Sequence, residues 1–170
     1  MPERLKYRGS APRQPRQKTP EQALSSLMRY CSRAERSSGD ALRLMRGWNI
    51  AEGDTRDILA RLQRERFIDD TRYAEAFIRD KSRLAGWGPY KISAGLKAKG
   101  VAPEIISSSL EGIGSGDAEK KLRSLLEKKA AEAKGTVYER KGKLMRFALS
   151  RGFGYETALR ICEEILKDNE

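Results

Sequence analysis

The sequence contains no histidine and only two cysteines, Cys31 and Cys162, among its 170 residues. Histidine is the commonest general base, and the Ser–His and Cys–His pairs of nucleophilic catalysis require it. The two cysteines are far apart, form no CxxC motif and fall on apolar faces of expected helices, so we interpret them as reduced core thiols rather than zinc ligands. We therefore expect no enzymatic activity, no cofactor and no metal site.

Long apolar runs are also missing. No stretch of about 18 consecutive apolar residues occurs, which argues against a membrane-spanning helix. The N-terminal residues contain no apolar segment of the kind that a secretory signal requires. These two absences lead us to expect a cytoplasmic protein.

Positive charge, in contrast, is in excess. The chain has 35 Lys and Arg against 24 Asp and Glu, a formal net charge of +11. A field of this sign favours polyanions, with nucleic acid first among them. Residues 1–18 hold six of the basic residues together with three prolines and one glycine. We expect this segment to be a flexible basic N-terminal arm, which either contacts a phosphate backbone or serves as a solubilising tail.

From residue 19 onward the sequence shows helical periodicity and frequent helix-start signals. Thr19 with Gln22, and Thr136 with Glu139, have the spacing of capping boxes. The adjacent carboxylates Asp69 and Asp70 also precede a helical pattern, so we interpret them as helix caps rather than as metal ligands. The apolar residues predict nine helices in three groups of three.

The joins between the second and third helices of each group are similar to one another. Gly100 and Gly152 hold the same position in two groups, and Asn49 holds it in the first. Asparagine tolerates the left-handed conformation that often ends a helix, so we expect Asn49 to replace glycine there. The first group has about three extra residues near 52–54, which we expect to form a loop before a helix that begins around Asp54 or Thr55.

A unit of three short helices buries its apolar faces poorly alone, and stacking successive units solves this. We therefore predict an all-α fold, an elongated, curved array of three tandem three-helix repeats. The predicted repeats cover residues 19–67, 68–113 and 114–170.

Basic side chains cluster on several successive helices. Each cluster is either an ordinary solvated helix face or part of a binding surface. No aromatic stacking platform for a single strand is obvious, because Tyr73 and Phe77 fit a core stripe, although Trp87 and Tyr90 flank a helix break. The candidate contact residues from the clusters are Arg79, Lys81, Arg83, Lys91, Lys97, Lys99, Arg140, Lys141, Lys143 and Arg146.

The middle of the chain resembles the signature of the RecX regulatory proteins. The resemblance covers about residues 20–167 and is sharpest in the second predicted repeat. It is carried by Phe67-Ile68-Asp69-Asp70-Thr71-Arg72-Tyr73-Ala74-Glu75-Ala76-Phe77-Ile78-Arg79 and by Gly88-Pro89, Ile92, Leu96, Lys99 and Gly100.

The resemblance implies a regulatory protein that binds the RecA recombinase and its filament on single-stranded DNA, with double-stranded DNA as a further option. Such proteins restrain filament growth, ATPase activity and strand exchange, and thereby modulate DNA repair, recombination and the SOS response. The family pattern has basic residues at Arg72, Arg79, Lys91 and Lys99, which become contact candidates. Arg72 fits equally well an ion pair with Asp69 or Glu75 on its own helix. We expect a monomer.

Two other functions remain open from the residues alone. One is a general basic helical protein that binds DNA or RNA without a role on RecA. The other is an interaction scaffold whose charge is incidental. The sequence also leaves open whether the protein caps filament ends or lies in the filament groove, and whether it contacts DNA directly.

Overall fold

The computed structural model describes residues 17–167, so the expected N-terminal arm, residues 1–18, lies outside them except for its last two residues. Across this range the chain forms nine α-helices and no β-strand, which confirms the predicted all-α fold. No helix in the described range is long and apolar enough to cross a membrane. The helices are α1 (Pro20–Cys31), α2 (Ser38–Gly47), α3 (Glu52–Arg64), α4 (Asp70–Arg83), α5 (Pro89–Ala98), α6 (Pro103–Ile113), α7 (Gly116–Glu132), α8 (Val137–Ser150) and α9 (Tyr155–Lys167).

Local capping begins several of these helices as predicted. The side chains of Thr19 and Thr136 accept hydrogen bonds from the backbone N–H groups of Gln22 and Glu139, whose side chains accept from the threonine N–H groups in return. Both capping boxes satisfy N–H groups that a helix start leaves free. Proline opens α1, α5 and α6, where a missing N–H costs nothing.

The turns after α2, α5 and α8 share one backbone feature. Asn49, Gly100 and Gly152 have φ values of 59°, 75° and 86°, so the prediction that Asn49 takes the place of glycine is confirmed. In the second turn, the N–H of Val101 returns to the carbonyl of Leu96 over 3.2 Å, which closes the end of α5. The second helix of each group thus ends with a residue in the left-handed conformation that commonly closes a helix.

The start of α3 differs from the prediction. The helix begins at Glu52 rather than around Asp54 or Thr55, so the extra residues form its first turn instead of a loop. Two carboxylates in that turn lie near the positive end of the helix dipole and favour helix there. At the other end of α3, Arg66 has a φ of 60°, a left-handed conformation that no glycine or asparagine had indicated.

Each group of three consecutive helices has an apolar core of its own, and the three groups follow one another as an array. Burial of each large aliphatic side chain contributes roughly 1.5–3 kcal/mol, so most of the stability of a group arises within it. The groups must then be joined by other contacts. Fully buried side chains include Leu27, Met45 and Leu62 in the first core, Ile78, Ile92 and Leu96 in the second, and Leu122, Leu144 and Ile161 in the third.

Candidate functional site

Neighbouring groups are joined through their second helices. The start of the second helix in one group lies against the end of the second helix in the next group. The backbone N–H of Gly88, just before α5, donates to the carbonyl of Arg151 at the end of α8 over 2.8 Å. The Ser37 hydroxyl, just before α2, donates to the carbonyl of Lys99 at the end of α5 over 2.7 Å. A helix end leaves carbonyl groups free, and each junction provides a donor for one of them, from the backbone at Gly88 and from a side chain at Ser37.

Glycines allow this close approach. A Cβ on Gly88 would lie 2.5 Å from the carbonyl oxygen of Gly152, and one on Gly39 would overlap the carbonyl of Lys99. The sequence indicated only a helix break at Gly88. The tertiary structure shows that the position has no room for a side chain.

Two predicted contact residues hold the first junction. Arg72 donates from Nε to Glu35 Oε1 over 2.6 Å, and this hydrogen bond raises the pKa of the Arg72 guanidinium. The Nζ of Lys99 lies 3.4 Å from Oδ1 of the buried Asp40. Arg72 therefore does not form the expected ion pair with Asp69 or Glu75 on its own helix. The first turn of α4 faces the loop between α1 and α2, and this places Glu35 closer.

Two more candidates hold the second junction. Arg83 donates from Nε to Asp117 Oδ2 over 2.7 Å, and the hydrogen bond lowers the pKa of the Asp117 carboxyl. Lys91 donates from Nζ to the carbonyl of Ser150 over 3.2 Å and lies 4.9 Å from the ring of Trp87. Basic residues from the sequence prediction thus bind neighbouring helical groups to each other.

The paired carboxylates at the start of α4 have separate partners. Asp69 Oδ1 accepts from the N–H of Arg72 over 3.0 Å and caps α4, as predicted. Asp70 Oδ1 accepts from the N–H of Ser38 over 2.8 Å and so caps α2 of the preceding group. Within residues 17–167, no group of three or more His, Cys, Asp or Glu residues is placed to hold a metal ion.

The remaining candidates on α4 lie near other side chains. Arg79 Nη1 is 3.9 Å from Oε2 of Glu75, at the limit of an ion pair, and both side chains are about half exposed. The Lys81 ammonium lies 5.5 Å from the centroid of the Phe77 ring and 5.0 Å from that of Trp87. Phe77 packs against the second core, as the spacing predicted. This helix therefore offers little basic surface without a nearby partner.

Helix α8 differs, because it carries basic side chains that face solvent. Lys143 and Arg146 are exposed, and neither forms an ion pair with any residue in the described range. Lys143 donates only to the carbonyl of Lys134, over 2.8 Å. We call the exposed face formed by Lys134, Tyr138, Gly142, Lys143 and Arg146 the α8 basic surface.

The other two candidates on α8 point elsewhere. Lys141 Nζ donates to Glu163 Oε1 over 2.7 Å and ties α8 to α9, which raises the pKa of Lys141. Arg140 is half-buried, and its Nε is buried without a hydrogen-bond partner among residues 17–167. Of the four candidates on this helix, the structure therefore brings Lys143 and Arg146 to the outer face. Lys97 on α5 is likewise exposed and has no ion pair with the described residues.

An open groove of ≈ 470 Å³ follows the outer face of α8. The acidic side chain in its lining is Glu139, whose Oε2 accepts the N–H of Thr136 over 2.8 Å. This hydrogen bond lowers the pKa of Glu139 and directs its charge to the start of the helix. Tyr138 and Gly142 also line the groove, and neither is among the contact residues predicted from the sequence. The available signal was a glycine inside a strongly basic helical stretch.

Comparisons with known proteins match most of the described chain. The family models described as RecX, second three-helix domain, and RecX, third three-helix domain, match residues 69–110 and 117–162. The regulatory protein RecX of Streptococcus agalactiae serotype III (strain NEM316) is 30% identical over 143 residues, which cover 83% of this chain and 55% of that protein. The chain thus spans about half the length of that relative.

Other relatives are matched over nearly their whole length. The regulatory protein RecX of Legionella pneumophila (strain Corby) is 29% identical over 143 residues, which cover 84% of this chain and 94% of that protein. The crystal structure of RecX from Lactobacillus salivarius superposes with a TM-score of 0.79 at 23% identity, covering 86% of this chain and 96% of that chain. This likeness supports the fold of the array.

Proposed function

Since the chain belongs to the RecX family of regulatory proteins, we propose that it binds the RecA recombinase and its filament on single-stranded DNA and restrains recombinase activity. The restraint acts on filament growth, ATPase activity and strand exchange, and so modulates DNA repair and the SOS response. This is a regulatory role in the cytoplasm, exerted by binding rather than by catalysis.

The observation that carries this proposal is the α8 basic surface. A filament on single-stranded DNA presents phosphates at regular intervals, and charge-assisted hydrogen bonds to phosphate are among the stronger polar contacts. Neither Lys143 nor Arg146 forms an ion pair within 4 Å among residues 17–167, so binding breaks no such pair, although the charge of Lys143 acts on Glu139 and contributes to its lowered pKa. Lys97 on α5 is available in the same way.

The junction residues have a different part in the proposal. Arg72, Arg83, Lys91 and Lys99 contact neighbouring groups, so we propose that they act on RecA indirectly, by holding the groups at a constant spacing. A binding surface that must match a periodic filament needs such spacing. Direct contact with the filament is proposed for the exposed residues. Arg79 and Lys81 can take part only when Arg79 leaves the carboxylate of Glu75 and Lys81 leaves the ring of Trp87.

A charge-reversal pair tests the proposal. We expect Lys143→Glu combined with Arg146→Glu to raise the concentration needed for half-inhibition of RecA's DNA-dependent ATPase by roughly tenfold, the effect of about 1.4 kcal/mol of lost binding energy. The matched control is Arg46→Glu with Arg56→Glu, which also reverses two exposed basic charges, but in the first group. Circular dichroism checks that both variants fold. Equal inhibition by the α8 variant and the wild type at moderate salt would exclude this surface.

The α8 basic surface also suits nucleic acid in the absence of RecA, so a general nucleic-acid-binding protein is the second candidate function. Co-sedimentation with purified RecA, with and without single-stranded DNA, separates the two. Sedimentation with RecA in either state supports the proposed regulator. Binding to DNA without any association with RecA supports a general nucleic-acid-binding protein instead, and association with neither supports a scaffold whose charge is incidental.

A further inference from the structure

Gly142 lies in the middle of α8, where nothing in the described protein requires a glycine. It is absent from the residues with positive φ, so its backbone conformation suits any residue. A Cβ at this position would approach only Nη1 of Arg146, at 3.5 Å, which is an ordinary van der Waals distance. Glycine lowers the stability of a helix interior relative to alanine. The missing side chain therefore calls for an explanation outside the fold.

The other helical glycines provide the comparison. A Cβ on Gly95, also inside a helix, would lie 2.9 Å from the ring of Phe77, so packing explains that glycine. Gly47, Gly53 and Gly112 have open space around them, but they lie in the first or last turn of their helices. Helix ends tolerate glycine more easily than the middle does. Among residues 17–167, Gly142 combines a mid-helix position with room for a Cβ, which would meet only the guanidinium of Arg146 at an ordinary distance.

The neighbours of Gly142 form a stripe with a recognisable chemistry. Tyr138 lies one turn before it and Arg146 one turn after it, so the three share a face of α8. Tyr138 is 87% exposed, and its ring contacts no other aromatic ring or cation in the described range. The stripe thus presents a free aromatic face, a bare piece of helix backbone and a guanidinium in a row.

We propose that single-stranded nucleic acid binds along this stripe. An unpaired base stacks on the ring of Tyr138, the sugar-phosphate backbone passes over Gly142, and phosphates pair with Arg146 and Lys143. This inference rests on the proposed function, because it names the ligand of the α8 basic surface. The span from Tyr138 to Arg146 is about 12 Å along the helix axis. That is the length of three to four nucleotides stacked at about 3.4 Å each.

The chemistry selects this ligand over duplex DNA and over an acidic protein. Bases of a duplex are stacked on one another, so they cannot occupy the face of Tyr138, whereas an unpaired base can. An acidic peptide would use the charges of Arg146 and Lys143 but would leave the tyrosine and the space at Gly142 unused. Glu139 stays ionised beside this stripe, and its charge is partly offset by the hydrogen bonds that it accepts from Thr136 and by the nearby Lys143.

The test is direct binding of a short fluorescein-labelled oligothymidine in the absence of RecA, followed by anisotropy. Tyr138→Leu should weaken binding by roughly tenfold, within the range known for loss of one stacked base, while Tyr138→Phe should bind as the wild type does. Gly142→Gln, which fills the groove, should weaken binding by a similar factor. An unlabelled duplex of the same length should compete poorly.

Substitution of Gly142 should change stability and binding in opposite directions, which a purely structural role of this residue would not produce. Gly142→Ala and Gly142→Gln should raise the thermal midpoint, because both new residues favour helix, although Gly142→Gln binds the oligonucleotide less tightly. The matched control is Gly112→Gln, placed in open space at the end of α6, which should leave binding unchanged. A stabilised Gly142→Gln variant with wild-type affinity would overturn the inference.

The two proposals can fail separately. If Tyr138→Leu and Gly142→Gln bind the oligonucleotide normally but no longer co-sediment with RecA, then the stripe docks protein, and only the nucleic-acid inference is overturned. A wild-type protein that sediments with RecA yet binds no oligonucleotide has the same consequence. If the two variants lose oligonucleotide binding but still associate with RecA in the absence of DNA, the result supports the stripe as a nucleic-acid site.

Discussion

Gly88 donates its backbone N–H to the carbonyl oxygen of Arg151 over 2.8 Å and so joins the start of α5 to the end of α8. Ser37 makes the equivalent bond to Lys99 with its hydroxyl group. The donors differ, a backbone N–H in one junction and a hydroxyl in the other. The acceptor is the same in both: the carbonyl of the residue that ends the second helix of a group. The array is therefore assembled by hydrogen bonds between helix ends, in addition to the apolar packing inside each group.

The first group has a carbonyl at the same position, the end of its second helix, and this carbonyl also accepts a hydrogen bond. The N–H of Lys18 lies 3.4 Å from the carbonyl of Trp48, and the Lys18 ammonium lies 3.8 Å from the centroid of the Trp48 ring. Lys18, the residue before the cap of α1, thus supplies the donor that the start of a second helix supplies at the other two positions. Each group of the array receives a donor from the chain before it.

Gly88→Ala should destabilise the second junction. The added methyl group would lie 2.5 Å from the carbonyl oxygen of Gly152, so the backbones must separate. We expect the free energy of unfolding to fall by about 1–3 kcal/mol, the usual cost of overpacking. Urea denaturation followed by circular dichroism measures it. Gly112→Ala, where the methyl group meets nothing, should leave stability unchanged or slightly higher. Equal stability of the two variants would contradict the close approach.

Asp70→Ala should destabilise α2, although Asp70 belongs to α4. Its carboxylate accepts from the N–H of Ser38 over 2.8 Å, and loss of a helix cap costs about 0.5–2 kcal/mol. Asp80→Ala, on the exposed face of the same helix, should change stability far less. Hydrogen exchange should increase in the first turn of α2 in the Asp70 variant. Unchanged protection there would show that the contact between the two groups is dispensable.

Glu163→Gln should remove a contribution to stability that depends on pH. The hydrogen bond from Lys141 lowers the pKa of Glu163 below its ordinary value of 4.5. A carboxyl with a lowered pKa stabilises the fold above that ordinary value, and this contribution is lost as the pH falls through the lower folded value. The wild type should therefore be more stable than the variant at pH 7.

The two proteins should converge in acid, below the folded pKa of Glu163, because both then carry a neutral side chain. Thermal midpoints measured from pH 7 downward test this, and added salt should narrow the difference since the pair is exposed. Glu127→Gln in the interior of α7 is the control and should show no such difference, because Glu127 is exposed, lies outside the first turn of its helix and has no ion pair among the described residues. A gap that persists unchanged into acid would refute the role of the ion pair.

Cys162 should resist thiol reagents in the folded protein. It is fully buried, and burial raises the pKa of its thiol to about 11, so very little thiolate exists at pH 8. Cys31 is only partly buried and should react first. Absorbance assays with a disulfide reagent on Cys31→Ser and Cys162→Ser, before and after denaturation, compare the two sites. Equal rates in the folded proteins would mean that the third core admits the reagent.

Local features of the fold could be predicted because short-range chemistry decides them. The capping boxes at Thr19 and Thr136 were recognised from residues three apart, and the left-handed conformation of Asn49 from its place at a helix end. The start of α3 is harder to predict, since helix and loop differ little in free energy over one turn, and the helix begins two to three residues before the predicted start.

The sequence by itself determined nine amphipathic helices, their grouping in threes and the family that the middle segment resembles. Only the tertiary structure decided what each basic side chain does. Arg72 and Lys143 are both contact candidates from the sequence, yet Arg72 is paired with Glu35 and Lys143 faces solvent. The reason is physical: a helix and its cap depend on residues within one turn, whereas an ion pair between groups joins side chains 37 positions apart, which only the packing of the array brings together.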